Sequence, residues 1–175
     1  NAYLKKSTYY DEFQSKIGNI VDPTKKRRKD ICFSEKDCQI LDNIIFLDYK
    51  QQLRYREPYK LGTYTEDDNG FYNEHTDTQG NMNHRKNSMI ICLSKSTDYE
   101  GGIFNLLELD KNFKFDIGDA IFFDSNLLHS VTPVTKGIRK VIISFLYNDE
   151  TKLVEYYKPL MKRLENIISY TLLDD

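Results

Sequence analysis

From Tyr59 to Tyr147 apolar and polar residues alternate in short runs broken by turn-forming residues, the period-2 pattern of half-buried strands. The spacing predicts strands near 59–65, 71–77, 87–93, 102–107, 112–116, 119–124, 129–134 and 139–147. Asp68-Asn69-Gly70, Gly80-Asn81, Gly101-Gly102, Gly118-Asp119 and Lys136-Gly137 punctuate them as turns. On either side the period lengthens. Residues 3–20 carry Tyr3, Leu4, Tyr9, Tyr10, Phe13, Ile17 and Ile20 in a loose helical stripe. A second helix is predicted from a capping box of Ser34 and Asp37, through Cys38, Leu41, Ile44, Ile45 and Tyr49 to about residue 55, ahead of Pro58. In the tail, 150–173, Leu153, Tyr157, Leu160, Leu164 and Ile168 resume helical spacing, with a start or kink at Pro159.

Short strands in such succession predict a mainly β fold with flanking helices. The expected form is a double-stranded β-helix, or jelly roll, of about eight strands, whose two sheets bury a ligand between them. The expected layout is a single domain over residues 1–175, with helical support in 1–57, a jelly-roll core in 58–148 and a C-terminal helix in 149–175. The helices are expected on one outer face. No repeat, linker or second domain is visible.

Composition changes this picture little. Apolar residues are 39% and charged residues 30%, ordinary for a globular protein, with 13 Tyr, 10 Phe and no Trp. A net charge of −2 supplies no global field toward nucleic acid or an anionic membrane. The run Lys25-Lys26-Arg27-Arg28-Lys29 departs from that balance; it is expected to be a solvated loop after Pro23, the alternatives being targeting, a phosphate-binding patch or help with an acidic substrate. Cys32, Cys38 and Cys92 lack C-x-x-C spacing and are odd in number, so reduced thiols in a cytoplasmic setting are expected, with Cys92 buried in a strand. No apolar run approaches the ~18 residues of a membrane span. No secretory leader is recognised, and the start at Asn1 is read as trimming.

The candidate chemistry lies in two of the three histidines. His75-Thr76-Asp77 is an H-x-D triplet, and in a strand positions i and i+2 project from one face, so the pair can clamp one ion. His129 follows Asp77 by 52 residues and must arrive from another strand, a gap that suits a crossing to the opposite sheet. Two imidazoles and one carboxylate fill one face of a non-haem iron(II) and leave the other open for co-substrate and oxygen. Arg139, ten residues beyond His129, can hold a 2-oxoacid; Lys140 is the alternative, but adjacent strand residues face opposite ways. His84 is expected in a solvated loop or at the substrate entrance, and Arg85 at a strand edge. Gly101 and Gly102 suit a turn with positive φ, and Asp116, Asp119 and Asp124 are turn residues.

Six blocks in order extend the pattern. They are Tyr64; Asn69 through Asp77; Arg85 through Ser94; Asp98-Tyr99-Glu100-Gly101-Gly102; Gly118 through Phe123; and His129 through Phe145. This stretch, about half of the chain, resembles the iron(II)/2-oxoglutarate dioxygenases, in the prolyl 4-hydroxylase-like branch with its lysyl hydroxylase relatives. The resemblance implies that His75, Asp77 and His129 ligate Fe(2+), that Arg139 binds the C5 carboxylate of 2-oxoglutarate, and that Tyr64 and Ser88 hydrogen-bond that same carboxylate. It implies O2 as second co-substrate, ascorbate as reductant, release of succinate and CO2, and hydroxylation of an unactivated C–H bond. Phe145 stands where the prolyl branch commonly has Trp. The implied substrate is a peptidyl side chain, proline first and lysine second, selected by a lid for which 65–69 and 78–87 are candidates. Alternatives are a free amino acid, another small molecule or a nucleobase, and, in a different class, a non-catalytic jelly-roll binding module.

Overall fold

Two antiparallel sheets pack against each other in the computed structural model, which describes residues 13–14, 21–45, 55–80 and 82–147. The larger sheet has the order β1 (Phe13–Gln14), β3 (Lys29–Cys32), β5 (Lys60–Thr65), β13 (Val134–Tyr147), β7 (Asn87–Cys92) and β11 (Ala120–Asp124). On it β4 (Tyr55–Arg56) and β8 (Tyr99–Gly101) also pair with β13. The smaller runs β10 (Lys111–Phe113), β9 (Phe104–Leu106), β12 (His129–Val131), β6 (Phe71–His75) and β2 (Lys26–Arg27). From β5 to β7, and again from β10 to β13, successive strands alternate between the sheets, which is the jelly-roll path.

A strand is present at each of the eight positions expected from alternation, the fourth being β9; β8 lies before the expected 102–107 and is an addition to them, and β13 begins at Val134 rather than 139. Tyr64, Ile90, Cys92, Val141 and Ile143 of the larger sheet meet Phe104, Leu106 and Val131 of the smaller in the central core. The opposite face of the larger sheet is also covered. There Leu61, Met89, Ile91 and Ile142 pack with Cys38, Leu41 and Ile45 of α1 (Glu35–Ile45). Burial on both faces accounts for the unbroken apolar runs in β7 and β13.

Helix α1 opens on the expected capping box: Ser34 Oγ accepts from the Asp37 amide and donates to the Asp37 carboxylate. It is described as far as Ile45; residues 46–54, through which the helix is expected to run, lie outside the described residues, and Tyr55–Arg56 are strand. Arg56 makes a buried bidentate ion pair with Asp42 of α1, to which the Tyr59 hydroxyl also donates, so β4 and the helix are held together by charge as well as by apolar contact. The helices expected at 3–20 and 150–173 fall almost wholly outside the described residues; within the first, Phe13–Gln14 are strand.

The basic run is not a solvated loop. Lys26–Arg27 pair with β6 of the smaller sheet, Lys29–Cys32 pair with β5 of the larger, and Arg28 lies between them. The segment therefore runs from the edge strand of the smaller sheet to β3, which lies between β1 and β5 in the larger. Lys26, Arg28 and Asp30 alternate inward and are buried, while Arg27 is exposed. Arg28 donates twice to Asp30, at 2.6 and 2.9 Å, and to the Tyr64 hydroxyl at 3.3 Å.

Two glycines separate backbone strain from steric clash. Gly118 has φ +91° and open space around a notional Cβ, whereas Gly101 has φ +71° and a Cβ there would sit 1.9 Å from the Pro133 carbonyl oxygen. Gly118→Ala is expected to cost about 1 kcal/mol, the left-handed penalty alone. Gly101→Ala is expected to cost at least about twice as much, because β8 must also move off β13; urea denaturation of the two variants measures the difference.

Candidate metal centre

β6 ends at His75 and β12 begins at His129, and these two residues are direct partners across the smaller sheet. The 52-residue gap thus leads away to the other sheet and back to a neighbouring strand, not to an opposite sheet. Asp77 lies two residues beyond the end of β6, so the H-x-D pair is not a strand alternation. Its amide donates to the Ser125 carbonyl at 2.9 Å, and this turn carries the carboxylate back toward the two imidazoles.

Each histidine is oriented by its own chain. Nδ1 of His75 lies 2.7 Å from the Asn73 carbonyl, and Nδ1 of His129 lies 2.8 Å from the Leu127 carbonyl. A carbonyl can only accept, so each Nδ1 carries the hydrogen and each Nε2 is left as a lone-pair donor. The Nε2 atoms stand 3.6 Å (His75) and 3.3 Å (His129) from the two oxygens of Asp77. Ligands at adjacent positions of an ion with bonds of about 2.1 Å stand roughly 3 Å apart, so only small adjustments bring three donors onto one metal. Burial lowers the pKa of His75, favouring the neutral ligand form. Burial also opposes ionisation of Asp77, yet the adjoining His129 and His75 rings hold its carboxyl well below the usual range. Both ligands for which a shift is resolved are thus biased toward the deprotonated state that a cation requires.

A supporting layer surrounds the triad. The Ser88 hydroxyl donates to Asp77 Oδ2 at 2.6 Å and lies 3.0 Å from Ser125 Oγ. Arg85 donates to the Asp77 carbonyl at 3.0 Å and to both oxygens of the buried Glu57, and its guanidinium stacks 3.6 Å over the Phe145 ring. Arg85 is therefore an internal brace and not an edge residue. His84 is buried rather than solvated, 3.4 Å from Glu57 and edge-on to Tyr147.

Arg139 is 1% exposed and sits opposite Tyr64 in the β5–β13 ladder, with its guanidinium 5.2 Å from the Tyr64 ring centroid. Lys140 is exposed, so the alternation argument chose correctly between them. A Cβ on Gly102 would come within 2.8 Å of the Arg139 Cδ, so glycine there makes room for the arginine stem as well as the turn. Nε and Nη2 of Arg139 are buried and have no hydrogen-bond partner among the described residues. Ser88, expected beside Arg139, is elsewhere: it pairs with Phe145, six residues along β13 and so about 20 Å away at strand spacing, and its hydroxyl is committed to Asp77.

The triad, Tyr64, Ser88 and Arg139 all line one cavity of about 430 Å³ between the sheets. Ile90, Phe104, Val131, Val141 and Ile143 form its apolar walls. Gln79, Gly80 and Met82 come to it from the 78–87 segment, whereas 65–69 contributes nothing to its lining. Lys26, Arg28 and Asp30 line it too, and these the sequence reading left on a surface loop.

The profile of the 2OG-Fe(II) oxygenase superfamily matches residues 59–148, just over half of the chain. The chain belongs to this superfamily. Among curated relatives it is 43% identical over 61 residues to a PKHD-type hydroxylase of Colwellia psychrerythraea, an alignment covering 34% of this chain and 27% of that protein. A PKHD-type hydroxylase of Sphingopyxis alaskensis is 44% identical over 61 residues, covering 34% and 28%. The chain thus spans between a quarter and a third of these relatives' length.

Solved 2OG-Fe(II) oxygenases share the fold. A Trichoplax adhaerens prolyl hydroxylase in complex with a hypoxia inducible factor oxygen degradation domain peptide fragment superposes with TM-score 0.61 at 19% identity, over 86% of this chain and 76% of that one. A Pseudomonas putida prolyl-4-hydroxylase gives 0.58 at 14%, over 84% and 82%.

The residues present fit the group that the superfamily implies. His75, Asp77 and His129 offer ligand atoms all within 4.8 Å of one another, and Arg139 offers two buried nitrogens that lack an acceptor. If Ser88 orients Asp77, Ser88→Ala is expected to weaken metal affinity about 10–100-fold while leaving the apparent affinity of the metal-loaded protein for 2-oxoglutarate within about threefold. Competition with a chelating dye measures the first, and calorimetry the second.

Proposed function

We propose that the chain is an iron(II)- and 2-oxoglutarate-dependent dioxygenase that hydroxylates a peptidyl side chain, with proline as the first candidate. One observation carries this reading: Arg139 is a buried guanidinium with two unsatisfied nitrogens in the same cavity as a two-histidine, one-carboxylate cluster. A charge buried without an acceptor is costly, and a carboxylate arriving there removes the cost. 2-Oxoglutarate supplies that carboxylate at one end and a metal-chelating keto acid at the other.

In this reading His75, Asp77 and His129 hold the metal, and Arg139 anchors the far carboxylate with Tyr64 at its side. Bound there, iron(II) and 2-oxoglutarate provide, with O2, the oxidising power to hydroxylate an unactivated C–H bond, releasing succinate and CO2; ascorbate is the proposed reductant. The chain's own part is positioning and exclusion. The Asn73 and Leu127 carbonyls fix the imidazoles, while Ser88 and Arg85 fix Asp77. Ile90, Val141 and Ile143 keep water from the space between metal and anchor. In this reading no side chain has to move a proton.

Hydroxylation is supported by the kinship with PKHD-type hydroxylases, and a peptide substrate by the fold shared with a prolyl hydroxylase in complex with a peptide fragment. Lysine, a free amino acid, another small molecule and a nucleobase are the other substrate classes. A jelly-roll module that only binds would form no succinate.

The test is succinate formation with iron(II), 2-oxoglutarate and ascorbate. His75→Ala is expected to abolish it. Arg139→Ala is expected to raise the 2-oxoglutarate KM roughly 30-fold or more, as loss of a buried charge partner costs about 2–5 kcal/mol, with Arg139→Lys in between. A wild type that neither turns over nor binds 2-oxoglutarate in the presence of iron(II) rules the proposal out.

A further inference from the structure

Lys26 takes no part in the chemistry described so far, yet it is placed as if it should. It is 6% exposed and lines the metal cavity, although a lysine tip ordinarily reaches solvent. Its ammonium lies 4.3 Å from the centroid of the Tyr72 ring, and that ring stacks on His75 at 3.4 Å. One aromatic ring therefore separates a buried cation from the metal triad.

Among the described residues no oxygen accepts a hydrogen bond from this ammonium. Two carboxylates act on it through their fields, Asp30 and Asp77. Asp30 is gripped through both oxygens by Arg28, and Asp77 faces the two imidazoles and Ser88. Burial, with Arg28 adding to it, pushes the Lys26 pKa well below the ordinary lysine value. The other cations of the lining are largely accounted for. Arg28 is paired with Asp30, Arg85 with Glu57, and Arg139 is set aside for the co-substrate. Lys26, with Lys60 beside the same cavity, is left over.

We propose that Lys26 is a specificity residue that receives a carboxylate carried by the primary substrate close to the carbon being hydroxylated, so that the site selects acidic substrates over neutral ones. The inference rests on the dioxygenase reading above and adds the substrate's charge to it. In a peptide the carboxylate is that of a Glu or Asp flanking the target residue; in a small molecule it is a free α-carboxylate. Lys26 is carried by β2, the edge strand of the smaller sheet, and lines the same cavity as the metal triad. The co-substrate does not need Lys26, since its two carboxylates are met by the metal and by Arg139.

The experiment uses the whole chain loaded with iron(II) under nitrogen. Calorimetry first gives the 2-oxoglutarate affinity of wild type, Lys26→Met and Lys26→Arg, expected to agree within about threefold. With 2-oxoglutarate bound, N-acetylated, C-amidated pentapeptides centred on proline and flanked by Glu, Gln or Lys are then titrated, alongside free proline and prolinamide. At least one acidic ligand is expected to bind about tenfold or more tightly than its neutral counterpart. The preference should fall below about twofold in Lys26→Met and persist in Lys26→Arg, which keeps the charge if Met disturbs the packing. Preference among the peptides locates the carboxylate on a flanking residue, and preference for free proline over its amide locates it on a small molecule. Equal binding of acidic and neutral ligands by wild type overturns the inference, as does a preference that survives Lys26→Met. So does a tenfold loss of 2-oxoglutarate affinity in Lys26→Met, which would reassign the lysine to the co-substrate. Absence of 2-oxoglutarate binding in wild type is a separate result that removes the dioxygenase reading itself and this inference with it.

Discussion

A carboxylate withdrawn from water must be matched on every side, and in this protein that requirement falls on Asp77. Its oxygens meet His75, His129 and Ser88, its amide meets Ser125, and its carbonyl meets Arg85. Those partners belong to β6, β12, β7, the turn after β11 and the segment before β7. Both sheets and the connections between them therefore close around one acidic side chain. A shift of either sheet by one residue would turn the imidazoles or the serine to the wrong face and strand the charge. Ser88 donates to the Asp77 carboxylate, while the two imidazoles face it with Nε2 lone pairs, so a cation set among the three ligand atoms completes the match.

Arg139 is the counterpart of this requirement. Its guanidinium is just as buried but is left partly unmatched, and Gly102 is needed simply to let its stem pass. The cavity thus holds, between the same pair of sheets, an anion among the metal-ligating side chains and a cation with two nitrogens unpartnered among the described residues. In the proposed reading that asymmetry sets which way round a ligand lies: metal-binding group toward the triad, carboxylate toward β13.

Much of this was legible in the sequence where the coding is apolar against polar. Alternation located the strands, and it chose Arg139 over Lys140 because one inward neighbour excludes the other. It failed at residues 26–30, and the reason is physical. Lys26, Arg28 and Asp30 point in while Arg27 and Lys29 point out, a period of two written in charged residues on both faces, which no hydrophobicity pattern can register. Only the partners Tyr72, Tyr64 and Gly62, far off in sequence, reveal that these charges have a protein surface to lie on. Ser88 was assigned to the wrong end of the cavity because sequence order carries no distance along a neighbouring strand. The 52-residue gap misled likewise, since it contains strands that leave for the other sheet and return.

The join made by β2, Arg28 and β3 has a consequence for how the protein can diversify. His75, His129 and Arg139 are carried by strands interior to their sheets, with paired neighbours on both flanks. Lys26 lies on the two-residue strand at the rim of the smaller sheet, and Arg28 on the join that follows it. Chemistry and selectivity are thereby written on separate pieces of backbone. A change at the rim can alter which molecule is admitted without disturbing the geometry that acts on it.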